Sequence, residues 1–270
     1  MTKEKIDLWI IAAGRGTRMG NISIPKALVK INGKSNLQNT LDIVDDIFKN
    51  IFVVIASDVK DVVIETIDSW YNDHNIITVP VECGGGDGKA ILEAYETIKA
   101  GVNDVEVSSQ CIILWGDAHI SSRNIIDELI SIMHNESVSA VIPVKLENRP
   151  YVSINASSIT INGRMIAMSA DFTRYGEVRD VGYHDQSIFG VDLNKLIPAL
   201  GIMRDSNKKI DDCGNIKYTT QSGELTFLNV IHYLYNIKNP AILYETEYPL
   251  LGYNTIEELK VIEEKMKGLI

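Results

Sequence analysis

Cysteine is scarce in this chain: Cys83, Cys111 and Cys213 are the only three in 270 residues, far apart and with no CxxC pair. An odd, scattered set supports neither a disulfide framework nor a zinc site. Long apolar runs are missing too. None approaches the roughly 20 residues that a bilayer-spanning helix needs, so no membrane partner is expected. Lys3 and Lys5 before an apolar stretch imitate a signal peptide. That stretch is short, however, and ends in Gly14-Arg15 rather than at a small-residue cleavage site, so a cytoplasmic location is expected. Basic excess is absent as well. The formal charge of −10 argues against a nucleic-acid partner, whose protein surface normally carries a basic patch. Internal repeats and low-complexity segments are lacking.

What is present is an ordinary globular composition, 45% hydrophobic and 23% charged, with length enough for a sizeable core. The chain is organised around the stretch 8–34. Leu8-Trp9-Ile10-Ile11-Ala12-Ala13 reads as a buried strand that empties into a loop holding Gly14, Arg15, Gly16, Thr17, Arg18 and Gly20. Pro25-Lys26 then leads into a second apolar run. Glycines and cations after a buried strand receive phosphate, because bare backbone N–H groups point at the anion and the cations neutralise it. Arg15, Arg18, Lys26, Lys30 and Lys34 form a cationic patch in an otherwise acidic chain.

Downstream, apolar spacing predicts helices over 36–48 and 58–71, alternating with strands at 51–56 and 76–79. This alternation predicts parallel βαβ units. Gly84-Gly85-Gly86-Asp87-Gly88 forms a second glycine loop before a helix over 90–99. It reads as a loose connection or as a ligand contact; ligands of open α/β sheets gather at the carboxyl ends of strands. The strand 110–115 ends in Trp115-Gly116-Asp117, and the position of Asp117 favours a metal ligand over a helix cap. A strand at 139–144 completes the run. Beyond Arg149 the pattern becomes short β segments at 151–154, 158–161 and 165–168, with a hairpin turn at Asn162-Gly163. An apolar strand within 181–192 and a helix over 193–200 follow. The polar stretch 203–223, with Asp205, Lys208, Lys209, Asp211 and Asp212, has no apolar period and reads as a mobile insertion. Thr255 and Glu258 form a capping box before a terminal helix. None of His74, His119, His134, His184 and His232 has a ligand spacing, and Tyr151, Tyr175 and Tyr183 divide between lining a ligand pocket and packing.

Ala12-Ala13-Gly14-Arg15-Gly16-Thr17-Arg18-Met19 followed by Pro25-Lys26-Ala27-Leu28 resembles the signature of the nucleotidyltransferase superfamily, the pyrophosphorylases and cytidylyltransferases. It is not a GxGxxG, since the third glycine is displaced. The resemblance implies a three-layer α/β/α fold with a mixed, mainly parallel central sheet and a small antiparallel extension. The whole chain, 1–270, is then one domain, with a nucleotide-binding half at 1–145 and an acceptor-binding half at 146–270. It implies that Ala12, Ala13, Gly14, Arg15, Gly16 and Thr17 hold the triphosphate, with Arg18 and Lys26 as the catalytic cations. Gly85, Gly86, Asp87, Trp115 and Gly116 border the nucleotide, and Asp117 and Asn254 hold Mg²⁺. Asp185 and Gln186 stand where sugar-using relatives carry acceptor contacts. The implied reaction transfers a nucleotidyl group from CTP, UTP or dTTP to a phosphorylated small molecule, releasing pyrophosphate. A sugar 1-phosphate is the leading acceptor and a phosphocholine-like or amino-acid-derived phosphate the alternative, with a homodimer as one allowed assembly. The rival classes are a non-catalytic nucleotide-binding regulator and a dinucleotide-dependent oxidoreductase with Asp58 at the ribose.

Overall fold

Leu8 and Ile10 point to one face of the opening strand, Trp9 and Ile11 to the other, and all four are buried. A strand apolar on both faces belongs inside a sheet covered on both sides. The computed structural model describes residues 5–14, 16, 19, 24–44, 46–71, 75–101, 105–173, 179–210, 216–220, 222–248 and 250–268. Arg15, Thr17, Arg18 and Gly20 of the opening loop lie outside these, as do His74, Tyr175, Asp211, Asp212 and Cys213.

The first half runs β1 (Asp7–Ala12), the ribbon β2 (Lys30–Ile31) and β3 (Lys34–Ser35), α1 (Asn36–Val44), β4 (Ile51–Ala56), α2 (Lys60–Trp70), β5 (Ile76–Val81) and α3 (Asp87–Lys99). It ends with β6 (Gln110–Trp115), the short β7 (Ala118–His119) and α4 (Asn124–Asn135). The second half opens with β8 (Ala140–Asn148), β9 (Val152–Ile161), β10 (Arg164–Phe172), β11 (Val181–Asp185) and β12 (Ile188–Asp192). It continues with α5 (Leu193–Asn207), β13 (Lys208–Ile210), β14 (Ile216–Tyr218), α6 (Phe227–Asn236), β15 (Ala241–Glu245), β16 (Leu251–Gly252) and α7 (Ile256–Met266).

The main sheet has the order β11-β9-β10-β15-β8-β12-β6-β1-β4-β5. Strands β5, β4, β1 and β6 are all parallel. β12 enters antiparallel between β6 and β8, β15 lies parallel to β8, and β10, β9 and β11 are antiparallel. Helices α1, α2 and α4 cover the Leu8/Ile10 face, while α3, α5 and α6 cover the Trp9/Ile11 face. This is the three-layer mixed α/β fold expected from the sequence. Cys111 is a packing residue within β6. Among the described residues no helix is long and apolar enough to cross a membrane.

The antiparallel part is more extensive than the sequence pattern suggests. The segments expected at 151–154 and 158–161 are one continuous strand, β9, because the polar interval at Asn155 stays paired with Ser169 of β10. Register shifts on either side of Ala167 absorb the mismatch. The expected Asn162-Gly163 turn is present, with φ of 48° and 80°, the two positive values that a tight hairpin turn requires. β11 pairs with β8 as well as β9, so this end of the sheet folds back on itself. The stretch 203–223 carries the end of α5 and the β13–β14 hairpin, and it buries Tyr218 in the core.

Candidate active site

In the parallel register Ile11 of β1 lies beside Trp115 of β6, so both strands release their chains at one edge. Gly116 N–H donates to the Ile11 carbonyl at 2.9 Å, prolonging the ladder by one step. A Cβ on Gly116 would stand 2.9 Å from the Ala12 Cβ, which is why glycine must precede Asp117. The next residues are held from behind by Asn36, the first residue of α1, only 1% exposed. Its Nδ2 donates to the Gly116 carbonyl at 3.1 Å and the Ala118 carbonyl at 2.9 Å. Its Oδ1 faces His119 Nδ1 at 3.1 Å, a geometry that places the proton on that nitrogen. His119 is buried, and burial lowers its pKa. Its ring therefore serves the carbonyl brace.

β7 then pairs with β16, Leu251 opposite His119 and Gly252 opposite Ala118. This two-residue ladder carries Tyr253 and Asn254, from the far end of the chain, to Asp117. Lys26 arrives from the third direction. Pro25 opens a single 3-10 turn, Lys26–Leu28, closed by Leu28 N–H to the Pro25 carbonyl at 2.8 Å, and burial of Ala27 and Leu28 anchors the turn. The Lys26 ammonium forms an ion pair with Asp117 and donates to Asn254 Oδ1 at 3.2 Å. Lys26, Asp117 and Asn254 thus meet at one point. Gly16, at φ 60°, rests on the lysine stem: a Cβ there would lie 3.3 Å from Lys26 Cβ. Ala12, Ala13 and Gly14 lead from β1 into this loop.

The second glycine loop lies against the lead-in to α6. Gly84, Gly85 and Gly86 have φ of 90°, 87° and 99°, a region that favours glycine. Leu225 N–H donates to the Gly85 carbonyl at 2.8 Å, and a Cβ on Gly86 would meet the Leu225 oxygen at 2.3 Å. Asp87 turns its carboxylate to the start of α6, accepting the Phe227 N–H at 2.5 Å. Burial raises its pKa to about 6; the Phe227 N–H opposes the shift, while Glu224 and Asp185 add to it. The folded protein therefore holds this proton more tightly than the unfolded chain. The associated stability is full below the ordinary carboxylate pKa and is lost as pH rises through 6. From this group the protein should lose about 1 kcal/mol between pH 5 and pH 8. Asp87→Asn should remove that part of the slope, as urea unfolding of the two proteins at both pH values will measure.

Asp185 ends β11 and Gln186 follows it in the turn to β12, next to Trp115, whose backbone N–H donates to the Ser187 carbonyl at 3.0 Å. Both side chains are buried. Asp185 Oδ1 accepts the Ser187 N–H at 2.9 Å, and Gln186 Nε2 donates to the His184 carbonyl at 3.1 Å. Burial raises the Asp185 pKa, and Asp117 pushes it further up. The two residues are thus at the edge of the site, each with one polar atom, Asp185 Oδ1 and Gln186 Nε2, engaged locally. Trp115 packs its ring on Phe189 and Phe227, with centroids 5.1 and 6.1 Å away.

Asn36 and Tyr253 are the residues that sequence reasoning passes over. Asn36 looks like an ordinary helix start, and Tyr253 stands beside the candidate ligand Asn254 with no role of its own. The donor set at the meeting point suits a hard cation. A carboxylate oxygen of Asp117 and the amide oxygen of Asn254 both reach the Lys26 ammonium. Two protein oxygens, with the rest left to phosphate and water, is the pattern Mg²⁺ favours.

Comparison with known proteins gives a concordant answer. The family described as the MobA-like NTP transferase domain matches residues 8–242. A ribitol-5-phosphate cytidylyltransferase of Lactiplantibacillus plantarum is 27% identical over 143 residues, 50% of this chain and 58% of that protein. The bifunctional protein GlmU of Sulfurimonas denitrificans is 25% identical over 276 aligned positions, 99% of this chain and 56% of that protein. The chain thus spans little more than half the length of either of these curated relatives. Among solved structures, UDP-glucose pyrophosphorylase complexed with UDP-glucose superposes with a TM-score of 0.71 at 12% identity, covering 98% of this chain and 99% of that one. HddC from Yersinia pseudotuberculosis complexed with GMP-PN gives 0.64 at 18% identity, with 97% and 99% covered. At these identities the superpositions speak to fold.

Proposed function

The chain belongs to the MobA-like NTP transferase family, and from that premise we propose that it is a Mg²⁺-dependent nucleotidyltransferase. It moves a nucleoside monophosphate from CTP, UTP or dTTP to a phosphorylated small molecule and releases pyrophosphate. The observation that carries this reading is the convergence of Lys26, Asp117 and Asn254 beside the glycine loop that leaves β1.

In the reaction an oxygen of the acceptor phosphate forms a bond to the α-phosphorus. The bond from that phosphorus to the oxygen bridging the β-phosphate breaks, and pyrophosphate leaves with the electron pair. The acceptor supplies the nucleophile, so the protein's tasks are alignment and neutralisation of charge. Backbone N–H groups of Ala13, Gly14 and Gly16, with Arg15, Thr17 and Arg18, hold the β- and γ-phosphates. Lys26 neutralises charge on the α-phosphate as the bond order changes. Asp117 and Asn254 would hold Mg²⁺, which supplies Lewis-acid neutralisation of the phosphate oxygens. Gly85, Gly86 and Trp115 border the nucleotide. Asp87 contributes through its backbone and by locking the second loop to α6. A cytoplasmic setting, where nucleoside triphosphates are found, suits this chemistry.

A sugar 1-phosphate remains the leading acceptor, with a phosphorylated alcohol or amino-acid-derived phosphate beside it. The relative named for ribitol 5-phosphate supports including alcohol phosphates. The deciding experiment is a pyrophosphate-release screen of CTP, UTP, dTTP, ATP and GTP against sugar 1-phosphates, alditol phosphates and phosphocholine. Release that needs both Mg²⁺ and one particular acceptor is the expected result. Silence across the whole panel, with nucleotide still bound, points instead to the non-catalytic regulator.

A further inference from the structure

A lysine that must serve one phosphorus has a flexible four-carbon stem to be held still. Here two contacts from a single residue hold it. Tyr253 is fully buried, and its hydroxyl donates to the Lys26 carbonyl at 2.9 Å. That carbonyl also accepts the Val29 N–H at 3.1 Å, closing the turn on which the lysine is mounted. The Tyr253 ring lies beneath the ammonium, 5.2 Å from centroid to Nζ, within the range of a cation–π contact. One side chain thus touches the backbone end and the charged end of Lys26.

Tyr253 is itself held from both directions. The β7–β16 ladder ends one residue before it. One residue after it, Asn254 N–H donates to Glu258 Oε2 at 2.5 Å, the same oxygen that accepts the Thr255 N–H in the capping box that starts α7. Leu259 and Ile262 of α7 pack with Tyr253 against Met19, Val29 and Ile31, which flank the phosphate loop and the lysine turn. The matched family region ends at residue 242, so Tyr253 and α7 lie beyond it while the residues they brace lie within it.

We propose that Tyr253 is the positioning residue of Lys26, and that α7 and its lead-in hold that tyrosine in place. The inference rests on the reading that Lys26 serves the α-phosphate. An ordinary core tyrosine would affect stability alone; a positioning tyrosine acts on turnover through the lysine. The test is a double-mutant cycle on the nucleotide and acceptor pair found by the screen, with Tyr253→Phe, Lys26→Ala and the double variant. Tyr253→Phe keeps the ring and removes the hydroxyl. It should lower kcat about 10-fold with KM for the triphosphate within about 2-fold, and should change kcat by less than about 2-fold once Lys26 is alanine. Tyr253→Leu, which also removes the ring, should lower kcat further, and circular dichroism will show that each variant is folded. An equal loss from Tyr253→Phe in both backgrounds, or no loss with Lys26 present, overturns the proposal. Wild-type turnover in Lys26→Ala alone overturns the role of the lysine instead, so the two failures are told apart.

Discussion

Lys26→Ala should lower turnover by about 10²- to 10³-fold, the range seen when one preorganised group facing transition-state charge is removed. The fold should survive. The 3-10 turn is closed by backbone hydrogen bonds and anchored by Ala27 and Leu28, none of which needs the ammonium. The same substitution should have an opposite effect on metal. In the free protein the ammonium is bonded to both Asp117 and Asn254, so a divalent cation must compete with it for those oxygens. Without the lysine that competition disappears, and Mg²⁺ binding should tighten several-fold while catalysis falls. Pyrophosphate release measures the first effect and calorimetric titration with Mg²⁺ the second. A variant that lost both together would place Lys26 among the groups that build the metal site, and one that lost neither would remove it from the chemistry. Lys26→Arg should rescue little. A planar guanidinium cannot occupy the compact position between a carboxylate, an amide oxygen and an aromatic ring as a point charge does.

The parts of this site that are readable in the sequence are those whose chemistry is local. A buried strand ending in glycines, an aspartate just past another strand, and a lysine after proline each carry their meaning within a few residues. The parallel half of the sheet is equally readable, because apolar strands and amphipathic helices alternate there. The braces are not. Asn36 acts on carbonyls about 80 residues away, Tyr253 on a carbonyl 227 residues away, and Asp87 on an N–H 140 residues away. In each case the partner is a backbone atom, which leaves no sign in side-chain pattern. Asp185 and Gln186 are the mixed case: as polar residues at a strand end they are legible as candidate acceptor contacts, but the bonds from the Ser187 N–H, at φ 59°, to Asp185 Oδ1 and from Gln186 Nε2 to the His184 carbonyl are not. In β9 the polar residues that look like a break in the strand remain within it, since pairing with β10 satisfies the backbone whatever the side chains prefer.

Asp117→Asn should be as damaging as loss of the lysine, again about 10²- to 10³-fold in turnover, but with the metal effect reversed. The carboxylate is the charged member of the proposed metal pair, and a hard divalent cation binds an anionic oxygen far better than an amide. Thermal melting separates this from general damage. Mg²⁺ should raise the melting temperature of the natural protein, because a ligand bound only by the folded form stabilises it by mass action. Asp117→Asn should abolish that rise without greatly changing the metal-free melting temperature. Asn36 and the β7–β16 ladder hold the loop through backbone carbonyls and N–H groups, and neither depends on the Asp117 carboxylate. The ion pair with Lys26 is largely buried, its side chains 13% and 28% exposed, but asparagine at this position keeps an amide oxygen for the ammonium, as Asn254 already does. Retained stability with lost metal response therefore separates two functions that meet at one residue's neighbours. The fold places the carboxylate by gripping the peptide groups around it, and the carboxylate itself supplies the charge that meets the lysine and, in the proposed reaction, the metal.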